Sequence, residues 1–282
     1  MQAGHLPCVL CCKNRKLKMR YYFYIFAVLS IFFSCQSRQN RDNNKYEINK
    51  IVFEKFIVDS VYLFTQSPNL ELQIVIKYPV NYCNPVILDS LQRFMTASAI
   101  QGAEFEYDYR NPENFLQKFA DYKIDYFRKF ETPDHVASFY SYTFTSDTDS
   151  VFCRSGIFCF VTYIYYFSGG AHGMYGTFYT CVDLETGRKL AFNDVFAKGN
   201  DDALTAIIKR VVEDEAEGDY FVSEIKPSNN FYFDVEGIVF VYNPYEIAPY
   251  YLGIIEIFVP FDEIVPLFLP ETPVQRLIIH NF

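Results

Sequence analysis

Apolar and polar positions along this chain alternate first with the period of a strand and then with that of a helix. Ile51 to Val58 and Tyr62 to Phe64 have strand composition, and Leu70-Glu71-Leu72-Gln73-Ile74-Val75-Ile76-Lys77 switches face at every residue before Pro79. Two helices are predicted next. Asn84-Pro85 supplies a cap and a first-turn proline ahead of Leu88, Leu91 and Met95, and Asn111-Pro112 repeats the device ahead of Phe115, Phe119, Tyr122, Tyr126 and Phe130. From Val136 the pattern is extended again, through Phe139 to Phe144 and Val151 to Phe167, with Arg154-Ser155-Gly156 as a hairpin turn.

The second half opens on Ser168 with a glycine-rich turn, then a strand at Thr177 to Val182 and a turn at Leu184-Glu185-Thr186-Gly187. Asp201 to Ala216 is the clearest helix, with Leu204, Ile207, Ile208, Val211 and Val212 on one face and Gly218 in a C-cap position. Phe231 to Tyr242 reads as a hairpin turning at Glu236-Gly237, and Ile254 to Val259 as a buried strand before Pro260. Strand runs broken by a few helices, without βα alternation, predict an α+β fold with largely antiparallel sheets and a few packed helices.

The first 45 residues follow a different logic. Lys16, Lys18 and Arg20 precede Tyr21 to Phe33, apolar except for Ser30. That stretch is shorter than the roughly 20 residues a membrane span needs, and a basic front with a small residue before the cut marks a secretory leader. Phe32-Phe33-Ser34-Cys35 resembles a bacterial lipobox, which implies a product lipidated on Cys35 and held outside the cytoplasm. Residues 1–18 fit a leader poorly, which points to Met19 as the start. Cys8, Cys11 and Cys12 lack the second ligand pair of a structural zinc site. The expected layout is a signal peptide over 1–34, a lipidated cysteine and polar tether over 35–45 (Gln36 to Asn44 holds no apolar residue), an N-terminal half over 46–167 and a C-terminal half over 168–282.

Charge narrows the partners. Residues 1–34 carry five basic side chains and no acid, so removing the leader takes the net charge from −9 to −14. That sign disfavours nucleic acid and favours cationic ligands, proteins included. With 30 Phe, 24 Tyr and no Trp, aromatic rings must build the interior and can also build a recognition surface. Past Cys35 only Cys83, Cys153, Cys159 and Cys181 remain. The spacing of Cys153 and Cys159 allows a local bridge, and isolated buried thiols are the equal alternative.

Two loops carry the candidate chemistry. Ser168-Gly169-Gly170-Ala171-His172-Gly173 leaves no room for a helix between its strands, and Tyr242-Asn243-Pro244-Tyr245-Glu246-Ile247-Ala248-Pro249-Tyr250-Tyr251-Leu252-Gly253 is stiffened by two prolines. Together with Val182-Asp183-Leu184-Glu185-Thr186-Gly187 and Asp194-Val195-Phe196, these segments resemble the family catalogued as domain of unknown function 3298. The preceding half is similar to its usual companion, numbered 4163. That pair occurs in lysozyme-sensing anti-sigma factors and ahead of the catalytic domain of a peptidoglycan deacetylase. Here neither a sigma-binding segment before the leader nor a deacetylase domain after Pro270 is recognisable, so the resemblance implies the envelope-facing part alone.

His172 lacks a His or Cys pair at ligand spacing and reads as a turn residue, and Ser168 lacks the strand-to-helix elbow of a nucleophile. Asp183, Glu185 and Asp194 read as turn acids and caps rather than a glycosidase pair. The expected binding residues are therefore Tyr242, Pro244, Tyr245, Glu246, Pro249 and Tyr250 with Gly169, Gly170, His172 and Gly173. No catalytic residue, metal or cofactor is assigned. The expected activity is non-enzymatic binding of a cationic protein such as lysozyme, or of a peptidoglycan fragment. The alternatives are an envelope hydrolase using His172 and a structural component of a surface complex.

Overall fold

Two sheets of unequal size make up the fold, seen in a computed structural model that describes residues 51–64, 69–129, 141–215 and 218–279. The expected leader, the expected lipidation site Cys35 and tether, and Phe130, Val136 and Phe139 lie outside the described residues. Among the described residues no helix is long and apolar enough to cross a membrane.

The larger sheet has six strands in sequence order: β1 (Val52–Tyr62), β2 (Leu70–Asn81), β3 (Tyr142–Arg154), β4 (Ile157–Phe167), β5 (Met174–Asp183) and β6 (Arg188–Leu190). All neighbours are antiparallel except β2 and β3, which run parallel because two helices carry the chain back between them. These are α1 (Pro85–Ile100) and α2 (Pro112–Arg128). The predicted caps form: Asn84 Oδ1 accepts the Val86 N–H at 3.0 Å, and Asn111 Oδ1 accepts the Asn114 N–H at 3.0 Å. On α1, Ile87, Leu91, Met95 and Ala99 face inward at four-residue spacing.

On α2 the buried face is rotated from the predicted stripe. Phe115, Leu116, Phe119, Ala120 and Phe127 are buried while Tyr126 is exposed, so Lys123 lies at the centre of the face, four residues from Phe119 and from Phe127. Its Nζ sits 4.0 Å from the centre of the Phe144 ring and 5.5 Å from that of Phe119. Burial pulls its ammonium down to about 8.

The second sheet is antiparallel, ordered β7 (Phe231–Phe233), β8 (Gly237–Tyr242), β9 (Ile255–Pro260). Its central strand is buried at every position. Together with α3 (Phe192–Val195), α4 (Asp201–Glu215), α5 (Phe261–Ile264) and α6 (Gln275–Ile279), it shares a core with Ile157, Cys159, Cys181 and Leu190 of the large sheet. Helix α4 buries Leu204, Ile208 and Val212 as expected. Gly218 does not have the left-handed backbone of a C-cap. The architecture is α+β, as the pattern predicted. The expected division between the halves, at Phe167/Ser168, falls at the tip of the β4–β5 hairpin, so both halves contribute strands to one sheet.

The three carboxylates set aside above have structural work. Asp183, 2% exposed, pairs with Arg276 of α6, accepts the Thr186 hydroxyl at 2.8 Å, and shares Arg276 with Glu185. Asp194 accepts the Ala191 N–H at 2.9 Å.

Candidate functional site

Strand β5 outruns its outer neighbour. β6 pairs only with Cys181 to Asp183, which leaves the outward backbone groups of Thr177 and Tyr179 without a strand. Two asparagines from the second sheet take their place. Asn243 Oδ1 accepts the Thr177 N–H at 2.8 Å and its Nδ2 donates to Thr177 O at 3.2 Å. Asn230 does the same across Tyr179 N–H and Thr177 O, at 2.7 Å each. This side-chain ladder docks the start of the 243–253 loop against the hairpin that carries the 168–173 loop.

The two loops then touch directly. Tyr250 donates its hydroxyl to Gly173 O at 2.8 Å, and the His172 ring stacks on Tyr250 with centroids 4.1 Å apart and planes at 26°. Tyr175 meets Tyr250 edge-on at 5.5 Å, and Tyr245 lies 5.6 Å away on another side. At Gly173 a Cβ would fall 2.5 Å from the Tyr165 hydroxyl, so any larger residue has to push that ring aside. Gly169 and Gly170 have open space around them but φ of 102° and 98°, so their role is conformational.

Internal bonds hold the 243–253 loop. The Asn243 N–H donates to Glu246 Oε2 at 3.1 Å, the Tyr245 N–H to Ala248 O at 3.1 Å, and the Gly253 N–H to Tyr250 O at 3.0 Å. Ile247 and Ala248 are buried anchors, and the Ile247 carbonyl accepts the Phe221 N–H at 2.7 Å. Tyr245 takes a left-handed φ of 74°, and that turn leaves its ring 52% exposed. Tyr251 is 67% exposed, and its hydroxyl donates to Asp219 at 3.0 Å. Desolvation pushes the Glu246 carboxyl up against the opposing pull of the Asn243 N–H. Desolvation and the hydroxyls of Tyr175, Tyr165 and Tyr245 push the Tyr250 phenol up.

Of the ten expected binding residues, the structure brings Tyr245, Glu246, Pro249, Tyr250, His172 and Gly173 together. Gly169 and Gly170 shape the approach to them. Tyr242 and Pro244 face inward: Tyr242 is 3% exposed and donates its hydroxyl to Lys226 O at 2.7 Å, which makes it a core residue supporting the loop from below. Sequence reasoning missed Tyr165, Tyr175, Asn243, Asn230 and Tyr251. Tyr165 and Tyr175 bracket the glycine loop symmetrically and pair across the hairpin, a signal that strand register alone could have given. Beside this cluster Tyr179 stacks on Tyr232 at 4.4 Å, with both hydroxyls directed at Glu256 at 3.1 and 3.4 Å. Burial and that carboxylate raise both phenols, Tyr232 to about 12.

His172 Nδ1 lies 3.0 Å from Gly173 O. Among the described residues no group of His, Cys, Asp and Glu has the geometry to hold a metal ion. Two concavities, of about 490 and 270 Å³, are lined by Tyr122, Asp125, Tyr126, Arg128 and Lys129 and by residues of β1 to β3, and neither contains a loop residue.

This α+β frame, with two ordered loops joined by one tyrosine, is shared with known proteins. Residues 193–262 match the family described as "Protein of unknown function (DUF3298)", and residues 66–175 match the family described as "Deacetylase PdaC". The chain thus carries a DUF3298 domain and, before it, a PdaC-like domain, and each match contributes one of the two loops. Among solved structures it is similar to a DUF3298 family member from Bacteroides fragilis, at 22% identity and a TM-score of 0.71 over 82% of this chain and 98% of that one. It is also similar to a DUF3298 family protein from Pseudomonas aeruginosa, at 15% identity and a TM-score of 0.53 over 82% and 97%. At these identities the likeness is one of fold. No curated protein matches the chain.

Proposed function

We propose that this protein is a non-enzymatic binding lipoprotein of the bacterial cell envelope, anchored through Cys35, which uses the 168–173 and 243–253 loops to engage a cationic protein such as lysozyme or a peptidoglycan fragment. The observation that carries the reading is the Tyr250 hydroxyl bond to Gly173 O with His172 stacked on the same ring. It makes one preorganised platform of two loops and leaves Tyr245 and Tyr251 presented to solvent, so little entropy is lost on binding. An exposed aromatic surface suits a macromolecule or polymer, whereas a small ligand takes a concave site. The −14 charge of the chain without the expected leader and the carboxylates of Asp219, bonded to Tyr251, and Glu246, next to Tyr245, favour a basic partner.

The test is equilibrium binding of the purified protein to a basic lysozyme at low and high salt, with soluble peptidoglycan fragments in parallel. Binding that weakens with salt but persists supports a mixed charge and aromatic interface. Absence of binding to both ligands at either salt contradicts the proposal, and turnover of the fragments that is lost in His172→Ala would replace it with a hydrolase.

A further inference from the structure

Cys159 and Cys181 stand directly opposite each other on β4 and β5, and both are buried, at 0% and 2% exposure. Opposed residues of an antiparallel pair put their side chains on the same face with Cα atoms about 4.5–5.5 Å apart, inside the roughly 4.4–6.8 Å that a disulfide spans. The two thiols are in side-chain contact, and Cys181 Sγ also lies 3.6 Å from Phe231 O. Closing the bond therefore needs rotation about the side chains and no movement of the strands.

We propose that Cys159 and Cys181 form a cross-strand disulfide when the chain folds in an oxidising compartment. The same register excludes the local bridge that spacing allowed: Cys153 is opposite Phe158, so Cys153 and Cys159 project from opposite faces of the hairpin. Cys153 and Cys83 are exposed. In the folded protein the β7–β9 sheet and its helices cover the Cys159/Cys181 pair, and burial pushes the Cys181 thiol well up, away from the reactive thiolate. The bond therefore forms while the β4–β5 hairpin assembles. A small disulfide such as oxidised glutathione serves as oxidant. One cysteine thiolate attacks it and releases one glutathione thiol, and the second cysteine then attacks the mixed disulfide and releases the other. In total the protein loses two protons and two electrons and one oxidised glutathione becomes two thiols. The bond would staple the stem of the hairpin whose tip is the 168–173 loop.

The full chain is refolded with oxidised and reduced glutathione, denatured, alkylated and digested without reductant. The expected result is the Cys159 and Cys181 peptides joined, two hydrogens lighter than their sum, with a thermal midpoint that reductant lowers by roughly 5–10 °C. The midpoint of Cys181→Ala should not respond to reductant. Recovery of Cys159 and Cys181 as alkylated thiols, or linked to any other cysteine, would overturn the proposal, and this readout on the unaltered chain does not depend on the variant folding.

Discussion

Replacing Gly176 with alanine should break the docking of the two halves from the strand side. A Cβ at Gly176 would lie 2.9 Å from Asn243 Oδ1 and 3.1 Å from its Cγ, closer than side-chain atoms pack, so the Asn243 amide must leave Thr177. Two hydrogen bonds are lost, and the Thr177 N–H, 2.8 Å from its acceptor, has no other strand to turn to. Thr177 O keeps Asn230. Two bonds at about 1 kcal/mol each, plus about 1 kcal/mol or more for a half-buried orphan donor, give a loss of about 2–4 kcal/mol. Asn243→Ala should cost a similar amount for the same reason. Because both act through one contact, Gly176→Ala should be nearly free in the Asn243→Ala background, and the double-mutant cycle should show a coupling as large as the single cost, about 2–4 kcal/mol. Urea unfolding of the four proteins, followed by circular dichroism, measures it. Costs that add within about 0.5 kcal/mol would refute the surrogate-strand argument.

Three further outcomes follow from particular contacts. Lys123 has no carboxylate within ion-pair distance among the described residues, and the fall of its ammonium from 10.5 to about 8 amounts to a destabilisation of up to about 3 kcal/mol, part of which the ring faces return. Its folded pKa is the lower one, so the cost is full below pH 8 and is relieved as pH rises towards 10.5. Lys123→Met should therefore stabilise by about 1–2 kcal/mol at pH 7 and by less at pH 9.5, and urea titrations showing no pH trend in that difference would contradict the burial argument. Asp183→Asn should cost about 1.5–3 kcal/mol by removing the buried charged partner of Arg276 and leaving it only the partly exposed Glu185, and a thermal midpoint within a degree or two of the parent would contradict it. Asn111→Ala should cost about 1 kcal/mol in urea unfolding through loss of the α2 cap, while Lys118→Ala on the exposed side of the same helix should cost little, and equal costs would contradict the cap.

Much of the fold was legible because local chemistry dictates it. The Asn-Pro caps, the Ser155-Gly156 turn between β3 and β4, and the period-two run of β2 each need only neighbouring residues. The rotated face of α2 was hidden because the stripe of large aromatics outweighed Lys123, whose long stem lets it lie among rings. The site was half legible. Its two loops stand out by glycine and proline content, but that Tyr250 reaches Gly173, 77 positions away in the chain, is a tertiary fact that no spacing encodes. Tyr242 misled because composition does not say which tyrosine precedes a loop on a strand buried on both faces. Nothing local marks out Asn230 and Asn243, since the open edge they complete belongs to a strand far off in sequence.

The central claim, that the joined loops form the binding surface, is tested most directly by comparing lysozyme affinity of the unaltered protein with that of Tyr245→Ala, Tyr250→Ala and, on helix α4 outside the loops, Lys209→Ala. The account predicts a loss of roughly 30-fold or more for Tyr250, a smaller loss for Tyr245, and no change for Lys209, with thermal midpoints confirming that each variant is folded. Equal effects at all three positions, or unchanged affinity in both tyrosine variants, would contradict it.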